Sequence, residues 1–368
     1  MLKQKLLLKI FLGVLLLSIV AFVINKFLLD KKIDLKSEKS GNINVLLLGR
    51  GGGTHDGPDL TDTIMLAMIN PTTKRADLIS IPRDLWVPDI KGRINSAYHL
   101  GQVKDKQGKL YAKAVVEKVT GQNIDYVVVI DFSGFIKLID YLGGVDVNVT
   151  RTLDDYNYPI EGKEREACGH ADEEIKEFTA TASAETDLWE YFPCRYKHLH
   201  VDAGTVHMTG KQALEFSRSR HGVGSEGSDF ARSRRQDEVI SAIRSKVLSL
   251  GIILNPVKIF GIAGILQENI DTDVKTGELD DFINLAREMQ GAKIESFVID
   301  FGDGVNERYG LLIEPTPSEE KRFQYNLVPR TGDGNFSEIR EYVKCIEQGL
   351  KCEVKEEGVA SAAAGIKN

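Results

Sequence analysis

Positive charge is in short supply in this sequence. The 368-residue chain carries 47 lysines and arginines against 54 aspartates and glutamates, a formal net charge of −7. Because the first 32 residues are lysine-rich, the remainder is more acidic still. A nucleic-acid binder needs a broad basic face to displace counterions, so that class is excluded. Any anionic ligand has to be held by a local concentration of positive charge. Cysteine is scarce too: the 4 residues include no C-x-x-C spacing of a metal site. Cys168 and Cys194 share one polar insertion, while Cys345 and Cys352 share the last ordered stretch. Pairing within each group suits an oxidising compartment, although spacing leaves connectivity open and four free thiols are the alternative. The 7 histidines show neither triad nor zinc spacing, and there is no internal repeat. What is present, 42% hydrophobic and 27% charged residues, is enough for a sizeable core in one large domain or two ordinary ones.

The first informative segment is Leu6 to Leu29, apolar apart from Lys9, Ser18, Asn25 and Lys26. Roughly 20 apolar residues cross a bilayer as a helix. No A-x-A-like cleavage site follows, which favours a retained signal anchor over a cleaved signal peptide. Lys3, Lys5 and Lys9 place the short leading tail, residues 1–5, in the cytoplasm and the rest of the chain outside it. The predicted organisation is then a linker over 30–41 and a main domain over 42–322. That domain contains an acidic, Cys-bearing insertion at about 152–203. A C-terminal extension over 323–353 and a disordered tail over 354–368 follow.

Within the domain, Asn44 to Gly49 reads as a buried strand. Thr63–Ile69 and Ala76–Ile81 are two more, and the Asn-Pro-Thr-Thr-Lys turn between them predicts an antiparallel hairpin. Helical periodicity over Leu110–Val119 and Phe132–Leu142 alternates with strands Tyr126–Ile130, Val145–Val149 and later Ile294–Ile299. Interleaved strands and helices predict a layered α/β sheet. Thr209 and Gln212 have the spacing of a capping box.

The chemistry is concentrated in arginines. Arg218 and Arg220 lie two apart, and in an extended segment they share a face with Phe216. Asp229 is placed to cap a helix running to about Leu248 with the apolar stripe Val239, Ile240, Ile243 and Val247. Extended backwards, that stripe passes through Arg232, Arg235 and Gln236, so Arg232 and Gln236 point inward. Buried arginines need an anionic partner. Glu226 and Asp229 are too few to satisfy several at once, and the guanidinium fork suits phosphate oxygens, so a pyrophosphate is the natural guest. Arg83 ends a strand in Ile-Pro-Arg-Asp, and Asp62 opens the strand before it. Beside a pyrophosphate, Asp62 becomes a candidate Mg²⁺ ligand.

Taken in order, these segments resemble the LytR-CpsA-Psr family of bacterial cell-envelope phosphotransferases. The matching text is Asn44-Val-Leu-Leu-Leu-Gly49, Thr61-Asp-Thr-Ile64, Leu78-Ile-Ser-Ile-Pro-Arg-Asp84, Ile94-Asn-Ser-Ala-Tyr98 and Asp131-Phe-Ser-Gly-Phe135. It continues through Leu142-Gly-Gly-Val-Asp-Val147, Gly210-Lys-Gln-Ala-Leu214, Arg218-Ser-Arg-His221 and Asp229-Phe-Ala-Arg-Ser-Arg-Arg-Gln236. The resemblance implies an αβα-layered domain with a central mixed sheet behind one transmembrane helix. It also implies a polyprenyl-pyrophosphate-linked glycan as substrate, its lipid in an apolar tunnel, with a peptidoglycan sugar hydroxyl as acceptor and Mg²⁺ (or Mn²⁺) as cofactor. Carried over by position, Arg83, Lys113, Arg218, Arg220, Arg232, Arg235 and Gln236 would hold the pyrophosphate. Asp62 would be the metal or base carboxylate, acting with Arg83. No covalent nucleophile is required, and His221 would orient its neighbours.

The chain departs from the family pattern after the first strand. Where the family commonly has an Asp two residues after Gly49, this chain has Gly51, and Leu60 stands where an Arg two residues before Asp62 is usual. The glycine-rich loop from Arg50 to Leu60 takes their place. Asp56 or Asp59 is expected to supply the missing carboxylate, and the glycines to let backbone N–H groups approach phosphate.

Overall fold

A computed structural model describes residues 35–36, 41–53, 57–181, 185–249, 261–262, 264, 269–303, 308–314 and 326–362. The expected transmembrane segment over 6–29 and the tail before it lie outside the described residues, as does most of the linker. Among the described residues no helix is long and apolar enough to cross a membrane.

The centre is a six-stranded mixed sheet. Strands β1 (Ile43–Arg50), β2 (Thr61–Asn70) and β3 (Arg75–Ser80) run antiparallel in sequence. The helices α1 (Ala97–Asp105) and α2 (Gly108–Thr120) then lead to β4 (Tyr126–Asp131), which pairs parallel to β1. Helix α3 (Phe132–Tyr141) follows, its first turn capped by Asp131, whose Oδ1 accepts from the Gly134 N–H at 2.8 Å.

The middle of the chain forms a second, smaller unit. Strand β5 (Val145–Val149) pairs with β8 (Gly204–Met208), and β6 (Leu153–Pro159) pairs with β7 (Tyr196–Val201). Helices α4 (Gly210–Arg218) and α5 (Asp229–Ser249) come next. The main sheet is completed by β9 (Ile270–Thr272) and, after α6 (Leu279–Glu288), by β10 (Lys293–Val298). Its spatial order is β9-β4-β1-β2-β3-β10.

The alternation along β1 and β2 makes this three layers. Leu46, Leu48, Ile64 and Leu66 face a core with Tyr98, Val115, Val116 and Val119 of α1 and α2. Ile43, Val45, Met65 and Ala67 face the opposite layer with Leu285 of α6. A near-continuous apolar strand is what burial on both faces requires. The smaller unit has its own core, in which Val145, Val147, Leu153, Leu199, Phe216 and Val239 meet.

Three expectations need correction. The Cys-bearing insertion is not simply polar: its two ends are the paired strands β6 and β7, and Cys168–Cys194 closes the segment between them. The C-terminal region is not an appendage, because Phe336 and Ile339, Val343 and Ile346 of α7 (Ser337–Glu347) are buried in the main core. Nor are residues 354–362 of the expected tail without order, and 363–368 lie outside the described residues. Residues Lys351–Lys355 (β11) pair antiparallel with Gly358–Ala362 (β12), tied to α7 by Cys345–Cys352.

Candidate functional site

One end of the sheet gathers the chemistry. Arg50, at the end of β1, is in register with Asp131 on β4 and with Thr61 on β2. Asp62 and Thr63 therefore stand at the same edge, as do Ile81, Pro82 and Arg83, which follow β3. A narrow cleft there is lined by Asp62, Thr63, Pro82, Arg232, Gln236 and Asp300 among others. Arg83 Nη1 donates to Asp62 Oδ1, and its Nε lies 3.5 Å from Asp84 Oδ2. Asp84 is 1% exposed and also pairs with Arg93 at 3.0 Å, so Arg83 is fixed between one buried carboxylate and one at the cleft. From α5, Arg232 is buried as the stripe predicted, and Gln236 Nε2 donates to Thr63 Oγ1 at 3.3 Å.

The arginine turn is built differently from the expectation. Phe216 and Arg218 are not extended but end helix α4, with Phe216 fully buried. The Thr209–Gln212 capping box at the start of that helix is present. Arg218 lies over the Phe132 ring, 4.0 Å from its centroid, next to Asp131 and therefore at the same end of the sheet. The turn that follows is pinned by Asp155 of β6. Its Oδ2 accepts from Ser219 Oγ at 2.7 Å and from the His221 N–H at 3.3 Å. His221 itself meets the Trp189 ring edge-on at 5.5 Å. Both Arg218 and Arg220 are half-buried.

Two expected pyrophosphate ligands are elsewhere. Arg235 is 1% exposed and its guanidinium is occupied: it donates to the carbonyls of Phe216 (3.0 Å), Ser219 (2.6 Å) and Glu226 (3.0 Å), and to Glu226 Oε2 (3.2 Å). Burial depresses its pKa to about 10, against the opposing pull of Glu226. Arg235 holds the arginine turn rather than a ligand. The helix stripe passes through it, and a single acid and three carbonyls satisfy it. Lys113 lies 3.8 Å from Glu117 and its charge acts on Asp125, which binds the Asn44 N–H. That is the opposite end of β1 from Arg50.

The glycine loop also departs from its expected role. The Gly52 N–H donates to Pro58 O at 2.9 Å and so closes the loop on itself instead of pointing at a ligand. Gly52 has φ +68°, and a Cβ there would lie 2.8 Å from that of Asp131, so only glycine fits. Asp59 pairs with Arg50 at 2.6 Å and sits 4.0 Å from His99. Asp56 lies outside the described residues.

Asp300, Asp84 and Asp155 were missed by sequence reading, while Glu226, read as one acid of too few, is the one that pairs with Arg235. Asp300 reaches the cleft because β10 is parallel to β3, a pairing that no local signal announces. Asp84, Asp155 and Glu226 are buried acids at 1%, 0% and 6% exposure, each partnered by arginines or by the turn. Asp84 alone had a readable signal, its place directly after Arg83.

A family model described as the LytR_cpsA_psr family matches residues 23–321. The chain therefore belongs to that family. The polyisoprenyl-teichoic acid–peptidoglycan teichoic acid transferase TagU of Oceanobacillus iheyensis is 30% identical over 256 residues, covering 68% of this chain and 64% of that protein. The regulatory protein MsrR of Staphylococcus aureus is 28% identical over 243 residues, 64% of this chain and 58% of its own length. The chain thus spans less than two thirds of either relative. The crystal structure of B. subtilis TagV shares the fold, with a TM-score of 0.54 at 23% identity over 83% of this chain and 97% of that one.

Proposed function

We propose that this protein transfers a polyprenyl-pyrophosphate-linked glycopolymer, as glycan phosphate, onto a sugar hydroxyl of peptidoglycan. The observation that carries this reading is the convergence of Asp62, Arg83, Arg232 and Gln236 from β2, the segment after β3 and helix α5. Family membership and the transferase activity in the TagU relative's name support it. In the reaction, the acceptor oxygen attacks the glycan-bearing phosphorus. The bridging P–O bond breaks, polyprenyl phosphate leaves, and the hydroxyl proton passes to a base. Such a step needs positioning and charge neutralisation more than covalent help.

The residues divide accordingly. Arg83, pre-set by Asp62 and Asp84, would meet the phosphates with a fixed fork. Arg232, Arg218 and Arg220 would add positive charge, and Gln236 would orient a phosphate oxygen. The donor set fits Mg²⁺: Asp62 keeps Oδ2 beyond the atom that Arg83 binds, and Asp300 supplies a second carboxylate on the same cleft. Bound there, Mg²⁺ would neutralise charge on the transferring phosphate. Oδ2 of Asp62 is alternatively the atom that takes the acceptor's proton.

Anchoring through residues 6–29, with the domain outside the cytoplasm, belongs to the same proposal. The two disulfides support an oxidising location. A fragment starting near Glu38, given polyprenyl-pyrophosphate sugar, Mg²⁺ and peptidoglycan oligomers, tests the activity. Glycan on the acceptor is expected. Free phosphate products alone would make the protein a hydrolase, and binding without turnover a lipid-linked-glycan binder or regulator.

A further inference from the structure

The exposed face of the β6–β7 hairpin carries two imidazoles and a carboxylate that the cleft does not use. His198 and His200 are two apart on β7, so both rings leave the same face of the strand. Asp154 on β6 stands directly across from His200 in the antiparallel register. His198 Nε2 and His200 Nδ1 converge on one oxygen, Asp154 Oδ1, at 2.9 and 2.8 Å. Each residue offers a ligand atom, and these atoms all lie within 4.8 Å of one another.

The second ring of contacts is what a metal-binding histidine has. His200 Nε2 lies 3.3 Å from Asp202 Oδ1, so with Nδ1 on an ion the other nitrogen keeps a carboxylate acceptor that sets its tautomer. Tyr156 stacks on His198 with ring centroids 4.2 Å apart and planes within 6° of parallel, which holds that ring in place. Zinc bonds of about 2.0–2.1 Å in tetrahedral geometry put ligand atoms about 3.3 Å apart, so the two Asp154 spacings of 2.9 and 2.8 Å would open slightly and the His198–His200 spacing, at most 4.8 Å, would close. His198 and His200 are nearly half-exposed at 43% and 46%, so an ion needs no entry path.

We propose that Asp154, His198 and His200 form a binding site for a divalent transition-metal ion of the zinc class. Two imidazole nitrogens with one carboxylate oxygen select such an ion over the harder Mg²⁺ of the cleft, and three protein ligands leave a position for water. The neighbouring residue, Asp155, pins Ser219 and His221, so the site stiffens the hairpin that holds the arginine turn. Histidine spacing along the sequence hid this site because Asp154 is 44 residues from His198.

The test is calorimetric titration of the chelator-treated full chain with zinc chloride, beside His198→Gln, His200→Gln and the double variant. One ion per chain at micromolar affinity is expected, weakened about tenfold or more in each single variant. Loading with Co²⁺ should give the visible absorption of a four- or five-coordinate ion, which reads the wild-type site without any variant. No saturable zinc binding at sub-millimolar metal, or binding unchanged in the double variant, would overturn the proposal. A cobalt spectrum of purely octahedral, aquo-like character would do the same.

Discussion

Ser219 Oγ donates to Asp155 Oδ2 at 2.7 Å with both residues fully buried, so the arginine turn is tied to a strand of the inserted hairpin. Asp155 also accepts the Asn157 and His221 N–H groups at 3.0 and 3.3 Å. Hydrogen bonds to a charged acceptor contribute about 1.5–3 kcal/mol. Asp155→Ala is expected to cost about 3 kcal/mol in urea denaturation and to reduce retention of the lipid-linked ligand, although Asp155 is not among the residues proposed to touch it. Wild-type stability in this variant would show that the tie is redundant.

Arg235 and the half-buried arginines should separate cleanly. Arg235→Met removes four hydrogen bonds and leaves Glu226 buried with less compensation. Breaking one side of a buried pair costs about 3–5 kcal/mol. Arg218→Ala and Arg220→Ala, at half-buried positions, should cost under about 1 kcal/mol yet abolish ligand retention. The checks are denaturation midpoints together with the mass of copurifying lipid. Unchanged binding in the Arg218/Arg220 double variant would remove the central support for a phosphate site.

At the cleft, Asp62→Asn keeps the shape of the side chain and removes its charge. Transfer should fall by about 100-fold or more while the fold stays intact. Arg83→Lys should lower turnover comparably, because an ammonium cannot reproduce a guanidinium fork between Asp62 and Asp84. Single-turnover assays with circular dichroism distinguish this from unfolding. Near-normal rates in both variants would move the chemistry elsewhere.

Asp237 supplies a pH prediction for stability. Burial raises its pKa from 3.8 to about 6, with partial relief from Ser296, and its Oδ1 is buried without a hydrogen-bond partner. A carboxyl raised in the folded state favours folding below its unfolded pKa, and that contribution is lost as pH rises through about 6. The loss across this window is on the order of 3 kcal/mol. Asp237→Asn should therefore gain stability over wild type as pH goes from about 4 to 7, measured by denaturation at each pH. A constant difference between the two proteins would contradict the shift.

Much of the architecture was legible. The β2–β3 hairpin, the two-sided burial of β1 and the Thr209–Gln212 cap follow from local pattern, because strand period and cap chemistry act over a few residues. Arg232 and Gln236 turned inward for the same reason, a helix stripe continued backwards. The helical ending at Phe216 and Arg218 was misread because Ser-Arg-Ser-Arg has no apolar period of its own. Its helix is extended by packing Phe216 into the second core.

The sequence by itself determined the kinds of elements, the supply of arginines and the family, since propensity, periodicity and motif order are properties of neighbouring residues. Tertiary structure decided which arginine lines the cleft and which is spent internally. Arg232 and Arg235 are three apart on one helix, yet Arg232 lines the cleft and Arg235 is enclosed by Phe216, Ser219 and Glu226. Only the folded chain brings those carbonyls and that acid to one guanidinium. The same holds for Asp300 at the cleft and for Asp154 beside His198 and His200, where long-range strand pairing supplies the partner.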